Sequence, residues 1–377
     1  MLNVIKAREQ FPYIKHGKIY FNHASSGPLC TPVIDCIHSV LYEKSETNLD
    51  DYIGLQAIIK ETKSDLASLI NTSPDRIAFV DNTTNGLNIL AAGLKLKKGD
   101  HILLNDLEFP ANVYPFFNLQ KNGIVIDLVQ SHNGIVSAED VIEKIVSETK
   151  LISISQVQFL TGYRVNLHKI GKVCREKGII FSVDAIQGLG AVGLDVAADC
   201  IDFVSSGTQK WLLGLQGFGF IYLSEELQEK IDQNCVGWLS VEDAWNLLHY
   251  ELKLKKSADR YQGGTLNSIG IYALNASLKL LKQFGFNNIE NCIIDNSLYF
   301  LEKLADTKFN TEIQDYNKNC IAGIVSFKGP DSAKIFNVLT KENIICSLRL
   351  GCIRMSPHFY NTKEEIDNVI NVLKKIY

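Results

Sequence analysis

Apolar and polar positions change rhythm along the chain. Between residues 20 and 260, short and nearly continuous apolar runs recur: "RIAFV" (76–80), "HILLND" (101–106), "IVIDLV" (124–129), "LISISQV" (151–157), "IIFSVDA" (179–185), "IDFVSS" (201–206) and "GFGFIYL" (217–223). Segments of helical periodicity separate them, such as "TNGLNILAAGLKL" (84–96) and "LHKIGKVCREKG" (167–178). Strands that alternate with helices predict a mostly parallel sheet covered on both faces. Residues 267–285 read as one long helix closed by Gly285. The rhythm then changes to a helix at 288–305, the strand-like "IAGIVSFKG", the helix "SAKIFNVLTKEN" and a strand pair around "IICSLRLGCIRMSPHF". A last helix starts at Thr362, which can cap it, with Glu364 and Glu365 in the first turn. This mixture predicts a large domain over 16–284 and a smaller α+β domain formed by 285–377, with residues 1–15 docked onto it.

Composition narrows the partners. The chain has 377 residues, 46% hydrophobic and 21% charged, enough for a large domain and a smaller companion. A net charge of −4 without a dense Lys/Arg run argues against nucleic acid and anionic membrane surfaces. No apolar stretch approaches the roughly 18 residues of a membrane span, and the N-terminal residues lack the apolar core of a signal peptide. Nine cysteines without a CxxC suit a reducing cytoplasm and free thiols better than a disulfide frame or a zinc site, so no metal is expected.

Two polar residues stand at strand ends. Asp184 closes the apolar run in "FSVDAIQGLG" (181–190), and Lys210 sits in "FVSSGTQKWLLG" (203–214), on a loop between two strand-like runs. Alone, the aspartate reads as a cap for the next helix and the lysine as a surface residue. Together, one strand–helix–strand unit apart, they are the pair that pyridoxal phosphate needs. An amine bonds the aldehyde, and a carboxylate keeps the pyridine nitrogen protonated. In "FVDNTTNGLNIL" (79–90) a strand breaks into a helix start rich in hydroxyls, which suits a phosphate or simply caps the helix.

Seven blocks in order carry a resemblance: "YFNHASSGPL" (20–29), "DNTTNGLN" (81–88), "LEFPANVYPF" (107–116), "VDAIQGLG" (183–190), "QKWLLGLQGFGFIYL" (209–223), "GGTLN" (263–267) and "IRMSPHFYNTKEEID" (353–367). The chain resembles the class V aminotransferases, the fold type I pyridoxal phosphate branch that includes cysteine desulfurases, selenocysteine lyases and isopenicillin N epimerase-like enzymes. The resemblance implies an α/β fold type I architecture, with a mostly parallel seven-stranded sheet and a smaller α+β domain. It implies pyridoxal 5'-phosphate on Lys210, Asp184 at the pyridine nitrogen and Gln187 at the ring's phenolic oxygen. Asn82 and Thr83 would hold the phosphate, mainly through backbone N–H groups, and Arg354 would bind the substrate α-carboxylate. Thr265 would reach the phosphate of the neighbouring subunit in a homodimer. Some positions depart from the commoner pattern. Gln209 replaces a histidine, and Gly207-Thr208 stands where a serine–glycine pair is usual, which redistributes phosphate contacts to Thr208 or Gln209. Phe109 replaces a stacking histidine, and within "VQFLTG" Gln158 becomes a cofactor contact and Phe159 a wall.

The reaction is less legible. A cysteine desulfurase carries its nucleophile on a loop before the carboxylate-binding arginine, and "IICSLRLGCIRMS" leaves no such loop. Cys346 and Cys352 are the local thiols. If 352–356 is a strand, Cys352 shares a face with Arg354, as a nucleophile or as a small buried residue. His23 either touches substrate or is a structural hydrogen-bonding group. Arg349 is a second anion contact or an ion-pair partner, Trp211 packs behind the lysine loop, and His358 and Tyr360 brace Arg354. Lys210, freed as an amine, takes the α-proton to give a quinonoid. Transamination then ranks first, with C–S lyase chemistry or epimerisation as alternatives. A nicotinamide dehydrogenase is disfavoured because "GLGAVG" (188–193) has the wrong glycine spacing. A non-catalytic scaffold is disfavoured because Lys210, Asp184 and Arg354 are all present.

Overall fold

The computed structural model describes residues 3–314 and 316–376. Its strands in chain order are β1 (Ile19–Tyr20), β2 (Ile77–Val80), β3 (His101–Asn105), β4 (Val125–Val129), β5 (Thr149–Ser155), β6 (Ile180–Asp184), β7 (Phe203–Gly207), β8 (Gly219–Leu223), β9 (Asn310–Thr311), β10 (Val325–Lys328), β11 (Ile344–Ile345), β12 (Ser347–Arg349) and β13 (Cys352–Met355). The seven apolar runs become β2 to β8 and form one sheet in the order β4-β3-β5-β6-β7-β8-β2. Every pairing is parallel except those of β8, which runs antiparallel to β7 and β2. All five residues of β7 and of β8 are buried, as a sheet covered on both faces requires. The carboxyl ends of β2, β5, β6 and β7 meet at one edge, where α/β sheets place their sites.

The long helix runs Ser268–Phe284, with Asn267 capping its start and Gly285 ending it at φ 80°. Two helices that the sequence pattern did not mark, Thr31–Tyr42 and Tyr52–Ile70, pack against it. The second buries only its later part, Thr62 to Ile70, and its diluted apolar stripe hid it.

The smaller antiparallel sheet has the order β12-β13-β10-β9 and is backed by helices Phe286–Ala305 and Ser332–Lys341. Residues near the N-terminus dock where expected: Arg8 pairs with Glu365 at 2.8 Å and Phe11 stacks on Tyr360. The attachment runs past residue 15, however. β1 pairs in parallel with β11, and Asn22 bridges Ser356, so the segment through residue 22 follows the C-terminal part of the chain. The turn between β12 and β13 is only Leu350-Gly351, both in the left-handed region at φ 48° and 79°.

Candidate active site

Lys210 follows β7 on a loop held from several sides. Gly27 N donates to Gln209 O at 2.7 Å, and a Cβ at Gly27 would stand 2.5 Å from Lys210 O, so this approach requires glycine. Leu213, fully buried, is held at φ 57°, a strained position that only a tightly determined loop sustains. Trp211 packs behind the lysine, as expected: it is buried, donates through Nε1 to Gln187 Oε1 at 3.1 Å, and its carbonyl bonds His358 Nε2.

Asp184 ends β6, almost fully buried, and Oδ1 accepts from Ile186 N at 3.0 Å. Burial raises its pKa to about 7, against a backbone hydrogen bond, with Glu108 adding to the rise and Lys210 opposing it. Burial likewise lowers the Lys210 ammonium to about 8, opposed by Asp184 and assisted by Arg354 and Arg349. The two charges face each other without an ion pair within 4.0 Å, which leaves a gap between acid and amine at the sheet edge. Phe109, half exposed, borders that gap: its ring centre lies 6.0 Å from Lys210 Nζ and it meets Phe159 edge-on.

At the start of helix Thr83–Gly93, the Asn82 side chain caps by accepting from Asn85 N. The Thr83 hydroxyl accepts from Gly207 N at 2.8 Å, tying this helix start to the end of β7 and leaving its hydrogen free to donate.

Arg354 on β13 is 3% exposed. It donates to Phe159 O and Ser25 Oγ, both at 2.8 Å, while Nε has no partner. Among the described residues no carboxylate lies within ion-pair range, and burial, with Arg349 nearby, lowers its pKa to about 10. A buried guanidinium without an acid is costly unless an anion arrives from outside.

A class-V aminotransferase family model matches residues 19–369. The chain belongs to that family. It is 27% identical over 356 residues to an uncharacterized aminotransferase of Bacillus subtilis, covering 90% of this chain and 93% of that one. It is 28% identical over 399 residues to a probable cysteine desulfurase of Methanothermobacter thermautotrophicus, with 98% and 97% covered. In fold it matches the apo cysteine desulfurase of Thermococcus onnurineus at a TM-score of 0.90 and 23% identity, over 100% of this chain and 98% of that one. A cystine C–S lyase in complex with cysteine persulfide matches at 0.87 and 24%, covering 97% and 99%.

This member of the class-V aminotransferase family is thus a pyridoxal phosphate enzyme of the fold type I architecture, and its residues fit the cofactor. The Lys210 amine has no hydrogen-bond partner among the described residues. The second Asp184 oxygen is also open among them, and N–H groups at a helix start stand beside a hydroxyl. Other expected contacts turn out differently. The Thr208 hydroxyl is buried and its one hydrogen is shared between Leu215 O at 2.9 Å and Phe218 O at 3.2 Å, so the loop consumes it; Gln209, half-buried with its side chain over Gly207, would be the one left for phosphate. Gln187 spends its carbonyl on Trp211 and one amide hydrogen on Ala24 O, which leaves a single N–H. Gln158 lies fully buried and donates to Glu108, with Oε1 unpartnered.

His23 is fully buried, its Nδ1 on Ser356 O and its Nε2 on the Tyr360 hydroxyl. Because a carbonyl only accepts, Nδ1 carries the proton, and burial lowers the ring's pKa well below its usual value. No ring nitrogen remains for substrate, so the geometry gives His23 the structural role. His358, pushed down to about 4 by burial, braces the Lys210 loop through Trp211 rather than Arg354. Arg349 is exposed and forms no ion pair among the described residues, contrary to the pairing expected for it. Its side chain shares a sheet face with Arg354, since Ser347 pairs Arg354 and Arg349 pairs Cys352. Cys352 is fully buried beside the Lys328–Glu312 pair, and burial raises its thiol to about 11.

Glu108 escaped the sequence reading. It is 7% exposed and accepts from Asn105 Nδ2, Asn112 Nδ2, Ser155 N, Ser155 Oγ and Gln158 Nε2. Five donors converge on this one carboxylate. The network fixes the segment that presents Phe109. The spacing of Glu108 and Asn112 was the available signal.

Proposed function

We propose that this enzyme acts on the α-carbon of an amino acid, most closely as an aminotransferase. The observation that carries the reading is Arg354: a buried cation with an unpartnered Nε and, among the described residues, no acid beside it, on the same site as Lys210 and Asp184. It is suited to the substrate α-carboxylate, which it would orient through its planar fork. Lys210 and Gln209 at the loop, Asp184 at the strand end, Thr83 and the N–H groups of its helix, and Phe109 as stacking wall would hold the cofactor. Bound pyridoxal phosphate supplies the electron sink for breaking a bond at the α-carbon. Lys210, with its pKa lowered by burial, serves as the base that moves the α-proton.

Relatives of this chain are named aminotransferase and probable cysteine desulfurase. The two-residue turn at Leu350-Gly351 leaves no loop for a mobile cysteine, and Cys352 is buried with a raised pKa. Both features favour transamination, or a lyase that needs no cysteine nucleophile, over desulfuration. Adding single amino acids to cofactor-loaded enzyme separates the branches. Keto acid that turns over only with an amino acceptor marks a transaminase. Pyruvate with sulfide or ammonia marks a lyase, and the opposite enantiomer marks an epimerase.

A homodimer is part of this reading, and so is a cytoplasmic location for a chain whose nine cysteines are all free. No helix among the described residues is long and apolar enough to cross a membrane. Trp245, Leu248, Tyr250 and Ile53 stand exposed on neighbouring segments, an apolar surface suited to a second copy. Thr265 is exposed, as a residue serving the partner's phosphate would be. We further propose residues 16–284 as the large unit and 285–377 with residues 1–15 as the small one, the stretch from β1 to Asn22 being where the large unit contacts the small.

A further inference from the structure

Lys63 lies on the inward face of helix Tyr52–Ile70, with Thr62, Leu66, Ala67 and Ile70, and is 6% exposed. An aliphatic side chain would satisfy that face, whereas a charge there is costly unless paired. The ammonium pairs with Asp259 and lies 5.5 Å from the centre of the Phe79 ring. Asp259 also accepts from Gln262 Nε2 at 3.0 Å, and Gln262 Oε1 accepts from Phe79 N at 2.8 Å. The contacts therefore close a circuit from Lys63 through Asp259 and Gln262 to the backbone of β2.

Gly263-Gly264-Thr265 comes directly after Gln262 in the chain. Two residues beyond Thr265, Asn267 caps the next helix and donates to Gly217 O at 3.3 Å. Thr265 is held between these two anchors. The glycines on one side supply no stiffness of their own, so the start of the segment is set by the Gln262 anchor together with the Gly263 carbonyl, which accepts from Leu239 N at 3.4 Å.

We propose that Lys63 is a positioning residue that acts in trans. Through Asp259 and Gln262 it fixes the segment that presents Thr265 to the cofactor phosphate of a second copy of this chain. The proposal rests on the reading of Thr265 as partner-supplied. Methionine at position 63 would match the lysine's shape and apolar stem. It could not orient Asp259, and Asp259 is exposed enough on its outer side to turn to water.

The test uses heterodimers of the full chain, purified through two different tags. Lys210→Ala in one protomer prevents it from bonding the cofactor, so the visible absorbance band reports only the other protomer's site. Lys63→Met placed in the Lys210→Ala protomer is expected to raise the pyridoxal phosphate dissociation constant of the intact site about tenfold, roughly one hydrogen bond's worth of affinity. Placed instead in the protomer that keeps Lys210, it should leave that constant within about twofold. Thr265→Ala in the same two placements calibrates the assay. If Thr265→Ala acts in trans while Lys63→Met acts in cis or in neither placement, the inference is overturned. If Thr265→Ala itself fails to act in trans, the partner-supplied reading falls and takes the inference with it, an outcome the calibrating pair tells apart. Should Lys63→Met not yield a soluble dimer, Gln262→Leu breaks the same circuit at its last link, and the same trans pattern is expected.

Discussion

Arg354→Met tests the site most directly. Burial first, and then Arg349, lowers the guanidinium pKa to about 10, which corresponds to roughly 3 kcal/mol of unfavourable environment. An arriving carboxylate recovers much of that, so substrates with a free carboxylate should outcompete their carboxamides by about 100-fold. With methionine, kcat/KM for an amino acid is expected to fall by about two orders of magnitude while that for its amide barely changes, so the preference collapses towards unity. Stability should behave differently. Removing an unpaired buried charge offsets the loss of hydrogen bonds to Phe159 O and Ser25 Oγ, and the cofactor-free variant should lose no more than about 1 kcal/mol. The lowered pKa sets the sign with pH: the folded state disfavours the charged form at every pH below about 10 and is relieved only as pH rises above that value. The stability difference between variant and parent should therefore be flat across neutral pH. The assay is steady-state kinetics on an amino acid and its amide, with thermal melts of both proteins. A variant that keeps its preference for the free acid would refute the assignment. So would a loss of several kcal/mol in stability, because Arg354 would then be a structural group.

Lys210→Ala should fold as the parent does yet show no visible absorbance band on addition of pyridoxal phosphate, and no turnover. Asp184→Asn should flatten a pH dependence of the cofactor-free protein. The raised pKa makes the folded state hold a proton that the unfolded chain has released, so this residue's contribution to stability declines as pH climbs from about 4 to about 7, as melts across that range would show. Asp184→Ala should also cost about three orders of magnitude in rate with an unchanged circular dichroism spectrum, since a few pKa units at about 1.4 kcal/mol each are lost at the ring nitrogen. Glu108→Gln should destabilise the protein by roughly 3 kcal/mol, about 4 °C in a melt of a chain this long, because it sets amide hydrogens against donors already aimed at that position; a melt that coincides with the parent's would disprove the five-donor account.

Much of the fold was written locally. The seven apolar runs each became a strand of the main sheet, because a strand buried on both faces needs nothing but continuous apolar residues to announce it. Asp184 and Lys210 were legible for a related reason: each ends an apolar strand, so their place at the sheet edge is set by the runs that precede them. The helix Tyr52–Ile70 was not legible, since half of it faces away from the core. Thr208 illustrates another limit. Its position beside the lysine suggested a phosphate contact, whereas the loop's own carbonyls, Leu215 O and Phe218 O, claim the hydroxyl. Lys63 was invisible because its partner Asp259 lies 196 residues away, and Glu108 was signalled only by Asn112 four residues on, because another partner, Ser155, is 47 residues distant.

The same contrast between local pattern and long-range contact bears on the choice of reaction. The alternation of side chains along β13 was enough to place Cys352 on the face of Arg354, and by that criterion it was a candidate nucleophile. The register shows what surrounds that face further out: Lys328 and Glu312 as a closed pair, and Arg349 opposite Cys352. A thiol buried there has its pKa raised rather than lowered, the reverse of what an attacking thiolate requires. Nor can the turn swing a cysteine inward, because Leu350-Gly351 already uses the minimum two residues, both in left-handed conformations. In the proposed reading, with no thiol poised to attack, bond breaking at the α-carbon would fall to Lys210, and what distinguishes one substrate from another would fall to the side chains at the rim: Phe109, Phe159 and Arg349, which has no ion-pair partner among the described residues.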